Sequence, residues 1–319
     1  MYDVIIIGSG PAGLSASIYA KRAGLNAVTI EKSPFSGGQV VNTYEVDNYP
    51  GLPGMNGFDM GMKFREHADK LGCEFLTANV SSIKKKEAES MLKAASVQTE
   101  EDMSCFLVET SQGALEAKSV VAAMGAVHAK LGIPGEEDLA GLGVSYCATC
   151  DGAFFKGKTT AVIGGGDVAI EDAIFLARGC EKVYLIHRRD KLRGAEILQQ
   201  ELKALPNVEI IWDTVAEKIE GEDQVEALWL KNVKTGEQRK LQIDGVFVAV
   251  GILPESNLLR EIADCDEKGY VIAGEDGTSS LPGLFVAGDV RTKKLRQIIT
   301  AAADGANAIT SVQEYLMGR

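Results

Sequence analysis

The stretch Val4-Ile5-Ile6-Ile7-Gly8-Ser9-Gly10-Pro11-Ala12-Gly13 decides the fold. The unbroken apolar run Val4–Ile7 reads as a strand buried on both faces, the pattern of a parallel sheet covered by other layers. The turn after it, Gly8-x-Gly10-x-x-Gly13, lets backbone approach a pyrophosphate closely, and the following helix N-terminus supplies N–H donors and partial positive charge. Gly8, Gly10, Pro11, Ala12 and Gly13 are therefore candidate phosphate contacts. Leu14 to Ala23 reads as the helix, Gly24 as its stop, and Ala27-Val28-Thr29-Ile30 as the next strand, which completes a βαβ unit.

The unit recurs 156 residues later, counted from Gly8 to Gly164. Thr160–Ile163 reads as a strand, Gly164-Gly165-Gly166-Asp167-Val168-Ala169 as a turn, Ile170–Arg178 as a helix stopped by Gly179, and Val183–Ile186 as a strand. Ala169 stands at the third glycine position, which such turns tolerate. A third strand and turn, Gly283–Asp289, precede a helix expected over Gln297–Tyr315, with Ile298, Ala301, Ala302, Ala306 and Ile309 near helical spacing. Lys84-Lys85-Lys86-Glu87 reads as a solvated hairpin or loop, as does Lys231–Lys240. The expected fold class is α/β, with two Rossmann-like, three-layer nucleotide-binding domains.

The end of each second strand separates the two sites. Twenty-three positions after Gly8 stands Glu31, whose carboxylate accepts from ribose hydroxyls and repels a 2′-phosphate, so the first site suits FAD or NAD. Twenty-three after Gly164 stands His187, followed by Arg188, Arg189 and Arg193. That basic cluster is what a 2′-phosphate needs, so the second site suits NADPH, with Gly164, Gly166, Asp167, Val168 and Ala169 at its phosphates. Two dinucleotide sites in one chain imply electron flow between a tightly held flavin and an exchangeable nicotinamide.

Cys147-Ala148-Thr149-Cys150-Asp151 is a C-x-x-C with three readings: redox dithiol, half of a zinc site, or coincidence. Zinc needs two further close ligands, and the three histidines, His67, His128 and His187, form no ligand pair. As a dithiol, proximity lowers one thiol's pKa toward neutrality. Asp151 reads either as a general acid or base acting through water, or as a turn residue before Gly152.

The chain has 319 residues, about two domains' worth. It is 45% hydrophobic and 24% charged, an ordinary soluble composition able to bury a core without disulfide or zinc staples. Its net charge of −12 argues against nucleic acid or an anionic membrane as a general partner. The apolar run Val120–Val127 is too short to span a bilayer. The start Met1-Tyr2-Asp3 lacks a charged n-region, so a reducing cytoplasm is expected. Cys73, Cys105, Cys180 and Cys265 read as small buried hydrophobes.

Together these motifs resemble the bacterial-type, low-molecular-weight thioredoxin reductases over almost the whole chain. The resemblance rests on Gly8–Gly13, Gly37-Gly38-Gln39, Val46-Asp47-Asn48-Tyr49-Pro50-Gly51, Cys147–Asp151, His187-Arg188-Arg189 with Arg193, Ala287-Gly288-Asp289, Arg296-Gln297 and Asp304-Gly305-Ala306. It implies a discontinuous FAD domain, residues 1–118 and 250–319, with an NADPH domain carrying the C-x-x-C inserted at 119–249. Gly38, Gln39, Asn48, Gly288 and Asp289 would contact FAD, and Arg296 and Gln297 would lie beside its ring. By the same resemblance, electrons pass from NADPH to FAD, to Cys147–Cys150, and to thioredoxin. Cys150 faces the flavin, Cys147 attacks the acceptor, and Asp151 handles the proton. A homodimer and a rotation of the inserted domain are implied too. Other acceptors within this chemistry are a thioredoxin-like protein, ferredoxin or a peroxiredoxin component, though the ferredoxin-linked branch lacks the pyridine-nucleotide motifs present here. A non-catalytic nucleotide sensor would need none of the dithiol. Two departures stand out: Met124 where the family usually has Thr, and Glu255 where it usually has Asn.

Overall fold

The computed structural model describes residues 1–43, 46, 48–86 and 105–318, without the side chains of Asn42 and Cys150. Asp47 of the Val46–Gly51 motif and Glu87 of the lysine run lie outside the described residues. The first elements are β1 (Tyr2–Ile7), α1 (Pro11–Arg22), β2 (Ala27–Glu31), α2 (Gly57–Lys70), β3 (Glu74–Thr77), β4 (Val80–Lys86), β5 (Cys105–Thr110), β6 (Gly113–Ala122) and β7 (Ala126–His128). Then come β8 (Val144–Ser145), α3 (Ala148–Asp151), β9 (Thr159–Gly164), α4 (Asp167–Ala177), β10 (Lys182–Ile186), α5 (Glu196–Lys203) and β11 (Val208–Ile211). The last are β12 (Thr214–Glu220), β13 (Ala227–Asn232), β14 (Gln238–Gln242), β15 (Gly245–Ala249), β16 (Ile252–Pro254), β17 (Leu284–Val286) and α6 (Ile298–Leu316).

One compact unit combines Met1–Asn42, Val46–Val127 and Leu253–Arg319. Its sheet runs β3-β2-β1-β6 in parallel, and β17 continues it along the C-terminal half of β6. β5 pairs antiparallel with the rest of β6, and β4 with β5. The apolar run does what its pattern predicts: Val4 and Ile6 pack with α1 and α6 residues, while Ile5 and Ile7 join the core on the opposite face. The helices meet backbone to backbone, because a Cβ on Gly305 would lie 2.0 Å from the Ala12 carbonyl oxygen. Residue 118 falls inside β6, whose residues up to Ala122 stay in register with β1, so this unit runs past the expected break.

A second compact unit is built from His128–Ile252. Its parallel sheet has the order β11-β10-β9-β15-β8. Val162, Val183 and Leu185 face a core shared with α3, α4 and α5. Ala161, Ile163 and Ile186 face a core shared with the antiparallel sheet β12-β13-β14. Each unit is thus a sheet between two other layers.

Local expectations differ from the structure in two places. Lys84–Lys86 are the end of β4 rather than a loop, since Ile83 is buried and the lysines find acidic cross-strand partners, Lys84 with Glu109 at 3.1 Å and Lys86 with Glu116 at 2.6 Å. Of the four cysteines expected to be buried, only Cys180 is; Cys73, Cys105 and Cys265 are half-buried. Lys231–Lys240 does span the β13–β14 hairpin. Among the described residues no helix is long and apolar enough to cross a membrane.

Candidate active site

In the first unit, β1 ends on Gly8 at φ +101°, where a Cβ would lie 2.5 Å from the Ala123 carbonyl oxygen. A Cβ on Gly13 would lie 1.8 Å from the Gly8 oxygen, so the turn closes only with glycine there. Gly10 caps α1 with no side-chain cap and faces Gly38, whose Cβ would lie 3.2 Å from the Gly10 Cα. This leaves a cradle of bare backbone beside the helix N-terminus, with Pro11 in the first turn of α1. Glu31 ends β2 and braces the turn: its Oε2 accepts from the Ser9 N–H at 2.7 Å and the Ser9 hydroxyl at 2.8 Å, its Oε1 from the Ser33 N–H at 3.0 Å. Oε1 keeps a lone pair for a ribose hydroxyl.

Gly288, at φ +80°, comes against Ala12, where its Cβ would lie 3.0 Å from the alanine Cβ. Its N–H donates to Asp304 Oδ2 at 2.9 Å. Asp304 also accepts from Arg291 (Nε 3.0 Å, Nη2 2.7 Å) and Lys293 (2.8 Å), so one buried carboxylate anchors the turn that presents Asp289. Asp289 Oδ1 and Arg296 Nε are buried with no hydrogen-bond partner. Leaving such a group unsatisfied costs about 1–3 kcal/mol, so the pair points to a ligand that satisfies it. Burial pushes the Asp289 carboxyl above its ordinary range, opposed by Lys293 and Arg296. The Arg296 guanidinium lies 4.0 Å over the Tyr270 ring, and Asn48 donates to Gln297 Oε1 at 2.9 Å. Gln39 is exposed on a 3-10 turn, Gly38–Asn42. The cradle, the orphaned atoms and the spare Glu31 acceptor fit FAD.

The second turn repeats the first. A Cβ on Gly164 would lie 2.4 Å from the Ala249 oxygen, as at Gly8, and 2.5 Å from the Ala169 Cβ, so a side chain is accommodated at the third position but not the first. Gly166 caps α4 with no side-chain cap and open space around it, and Val168 is exposed. Asp167 is already engaged, with Oδ1 accepting from the Ala195 N–H at 2.7 Å. His187 departs from its expected phosphate role. Its ring is buried, with Nδ1 3.0 Å from the Gly164 oxygen and Nε2 2.9 Å from the Lys191 oxygen. Burial lowers its pKa, so the ring favours the neutral form, which donates to one of the two carbonyls. Gly165 exists to admit this ring, since a Cβ there would come within 2.2 Å of it. His187 is a strut under the turn. Arg188, Arg189 and Arg193 are exposed and, among the described residues, in no ion pair. The acids beside them, Asp190 and Asp213, are held by Lys234 at 3.5 and 3.0 Å. Three uncommitted guanidinium groups beside an uncapped helix fit NADPH.

The cysteine motif follows β8, and Cys147 is disulfide-bonded. Ala148, the first residue of α3, is buried, and its N–H bonds to the Asp172 carboxylate on α4. Burial pushes Asp172 up to about 7, helped by neighbouring Glu171. Gly152 lets α4 approach, with Phe175 and Leu176 atoms 3.0 and 3.1 Å from its Cβ position. Asp151 caps nothing; its Oδ2 accepts from the Ser145 hydroxyl at 2.6 Å. The Ser145 oxygen accepts from the Cys147 N–H at 3.1 Å. A cavity of about 300 Å³ opens here, lined by Ser145, Asp151, Phe154, Lys158, Asp223 and Asp244 among others.

Sequence reasoning assigned no role to Ser145, Asp172, Arg291, Lys293 or Asp304. Asp304 had a signal: it falls on the buried stripe Ala301, Gly305, Ala308, Ile309 of α6. Glu255, one of the two departures, pairs with Lys32 at 3.4 Å; Met124, the other, packs against the core.

The family described as "Pyridine nucleotide-disulphide oxidoreductase" matches residues 2–305. The chain is 40% identical over 317 residues to a thioredoxin reductase of Bacillus subtilis, spanning 99% of this chain and 95% of that protein. It is 41% identical over 316 residues to that of Treponema pallidum, spanning 99% and 97%. The crystal structure of a Streptococcus pyogenes thioredoxin reductase superposes with a TM-score of 0.78 at 40% identity, covering 100% of this chain and 99% of that one.

Proposed function

This chain belongs to the pyridine nucleotide-disulphide oxidoreductase family, in its thioredoxin reductase branch, and we propose that it reduces an oxidised thioredoxin through Cys147 and Cys150. It is an NADPH-dependent, FAD-containing disulfide oxidoreductase. The observation that carries the proposal is a disulfide-bonded Cys147 whose backbone is bonded to the same serine that binds Asp151. When bound, NADPH supplies a hydride and FAD relays its two electrons. The residues of this chain do the rest. Arg188, Arg189 and Arg193 hold the 2′-phosphate, while Gly164, Gly166, Val168 and Ala169 line the pyrophosphate and Asp167 and His187 brace that turn. Glu31, Asp289, Arg296 and the Gly10–Gly38 cradle hold FAD, with Gln39, Asn48, Gly288 and Gln297 around them. Cys150 receives the electrons. The Cys147 thiolate attacks the acceptor disulfide, and Cys150 resolves the mixed disulfide, expelling the second acceptor thiol. Reducing a disulfide to two thiols takes two electrons and two protons. The hydride accounts for both electrons and one proton, and Asp151 passes the other from water. The inserted domain spans about residues 128–252, the chain pairs as a homodimer, and it works in the cytoplasm.

Cys147→Ser tests this. The variant should lose thioredoxin reduction while NADPH still bleaches its flavin; full turnover by the variant removes Cys147 from the reaction. Offering thioredoxin, ferredoxin and a peroxiredoxin component in turn, with NADPH and NADH, identifies the acceptor. Turnover with ferredoxin alone sinks the thioredoxin assignment.

A further inference from the structure

Asp151 is set by a residue outside the motif. Ser145, the last residue of β8, is buried, and its hydroxyl meets three groups. It lies 2.6 Å from Asp151 Oδ2, 3.1 Å from the Cys147 amide nitrogen and 3.3 Å from the Cys147 carbonyl oxygen. A hydroxyl has one rotatable proton and two lone pairs. With Asp151 ionised, Ser145 donates to the carboxylate and accepts from the Cys147 N–H. With Asp151 protonated, the carboxyl donates to Ser145, which still accepts from the Cys147 N–H and turns its own proton to the Cys147 carbonyl. Every polar group stays satisfied in both states, and the cysteine backbone is tied to the carboxyl throughout.

We propose that Ser145 is a positioning residue for disulfide reduction, a hydroxyl rotor that holds Asp151 against the Cys147 backbone in both of its protonation states. This rests on the reading of Asp151 as the group that passes the proton. That proton leaves water, resides on Asp151 Oδ2, and ends on the cysteine sulfur freed as the disulfide opens. Ser145 is neither oxidised nor consumed. The charged groups around Asp151 are Lys158, Asp223 and Asp244 across the cavity, and Asp172 with Glu171 from α4 beneath α3. The Ser145 hydroxyl is the donor that meets the Asp151 carboxylate directly, at 2.6 Å.

The test is the pH profile of thioredoxin reduction by the holoenzyme. Asp151→Asn should abolish the alkaline limb. Ser145→Ala should keep the limb but move it up by about one pH unit and slow turnover about tenfold. Bleaching by NADPH should be unchanged, which also shows the variant folded. Ser145→Thr keeps the hydroxyl and should restore both limb and rate. The double variant should match Asp151→Asn alone. A wild-type limb in Ser145→Ala, with Asp151→Asn lacking one, overturns the proposal and leaves the reading of Asp151 standing. A limb that survives Asp151→Asn removes that reading and the proposal together.

Discussion

Each unit places one carboxylate beneath its working turn, and the two are handled in opposite ways. Asp304 sits under the Gly288–Asp289 turn and is met by Arg291, Lys293 and a backbone N–H. Asp172 sits under the redox helix and meets one N–H, with Glu171 as its charged neighbour and, among the described residues, no cation pairing with it. A carboxylate met by two cations and a backbone N–H is held rigidly in place, which suits the anchor of a permanently held cofactor. An uncompensated one titrates near neutrality, which suits the place where protons must come and go.

That contrast predicts mutational effects of opposite sign. Asp304→Asn strands Arg291 and Lys293 as buried, unpaired cations and should destabilise the protein by about 3–5 kcal/mol, with loss of FAD. Thermal unfolding of apoprotein and holoprotein separates the stability loss from the cofactor loss. Asp172→Asn keeps an acceptor for the Ala148 N–H and removes the charge. A carboxyl raised to about 7 contributes stability that is complete below its unfolded pKa and lost as pH rises through 7. Asp172→Asn should therefore be more stable than wild type at pH 8, by about 2 kcal/mol, and should converge with it toward pH 4. Equal denaturation midpoints at pH 8 would break the contrast.

The glycine turns sharpen it at smaller amplitude. Gly13→Ala drives a methyl to 1.8 Å from a backbone oxygen and should cost about 3 kcal/mol and the FAD. Ala169→Gly, at the equivalent place in the second turn, should cost about 1 kcal/mol or less through added backbone entropy and leave NADPH binding intact. Flavin absorbance and melting temperature check the first, NADPH titration the second. If Gly13→Ala keeps its flavin, both turns tolerate a side chain at the third position and the contrast between them falls.

The parts of this molecule legible in its sequence are those written by local rules. The runs Val4–Ile7 and Thr160–Ile163 face two cores because a fully apolar strand has no solvent side, and the glycines at 8, 13 and 164 mark places where a Cβ meets backbone. Lys84–Lys86 misled because only one buried residue, Ile83, adjoins the charged run, and cross-strand acids far away in sequence decide that it is a strand. Ser145 and Asp172 gave no signal at all. A serine in a two-residue strand and an acid after Glu171 read as ordinary polar positions until folding puts Ser145 against the Cys147 backbone and Asp172 against the Ala148 N–H.

His187 shows the limit of counting along a chain. Register located the residue at the end of β10 but not the direction of its ring, and Gly165 is where the direction was written. If the ring is a strut, His187→Gln should disturb the whole turn, raising KM for NADPH and NADH by the same factor, about threefold. Arg188→Gln removes only a charge beside the 2′-phosphate. It should raise KM for NADPH about tenfold and leave NADH unaffected, the size of one charge-assisted hydrogen bond on a solvated group. The ratio of the two KM values isolates the phosphate from everything else the turn holds. Should His187→Gln change that ratio as Arg188→Gln does, the imidazole reaches the phosphate and the strut assignment falls.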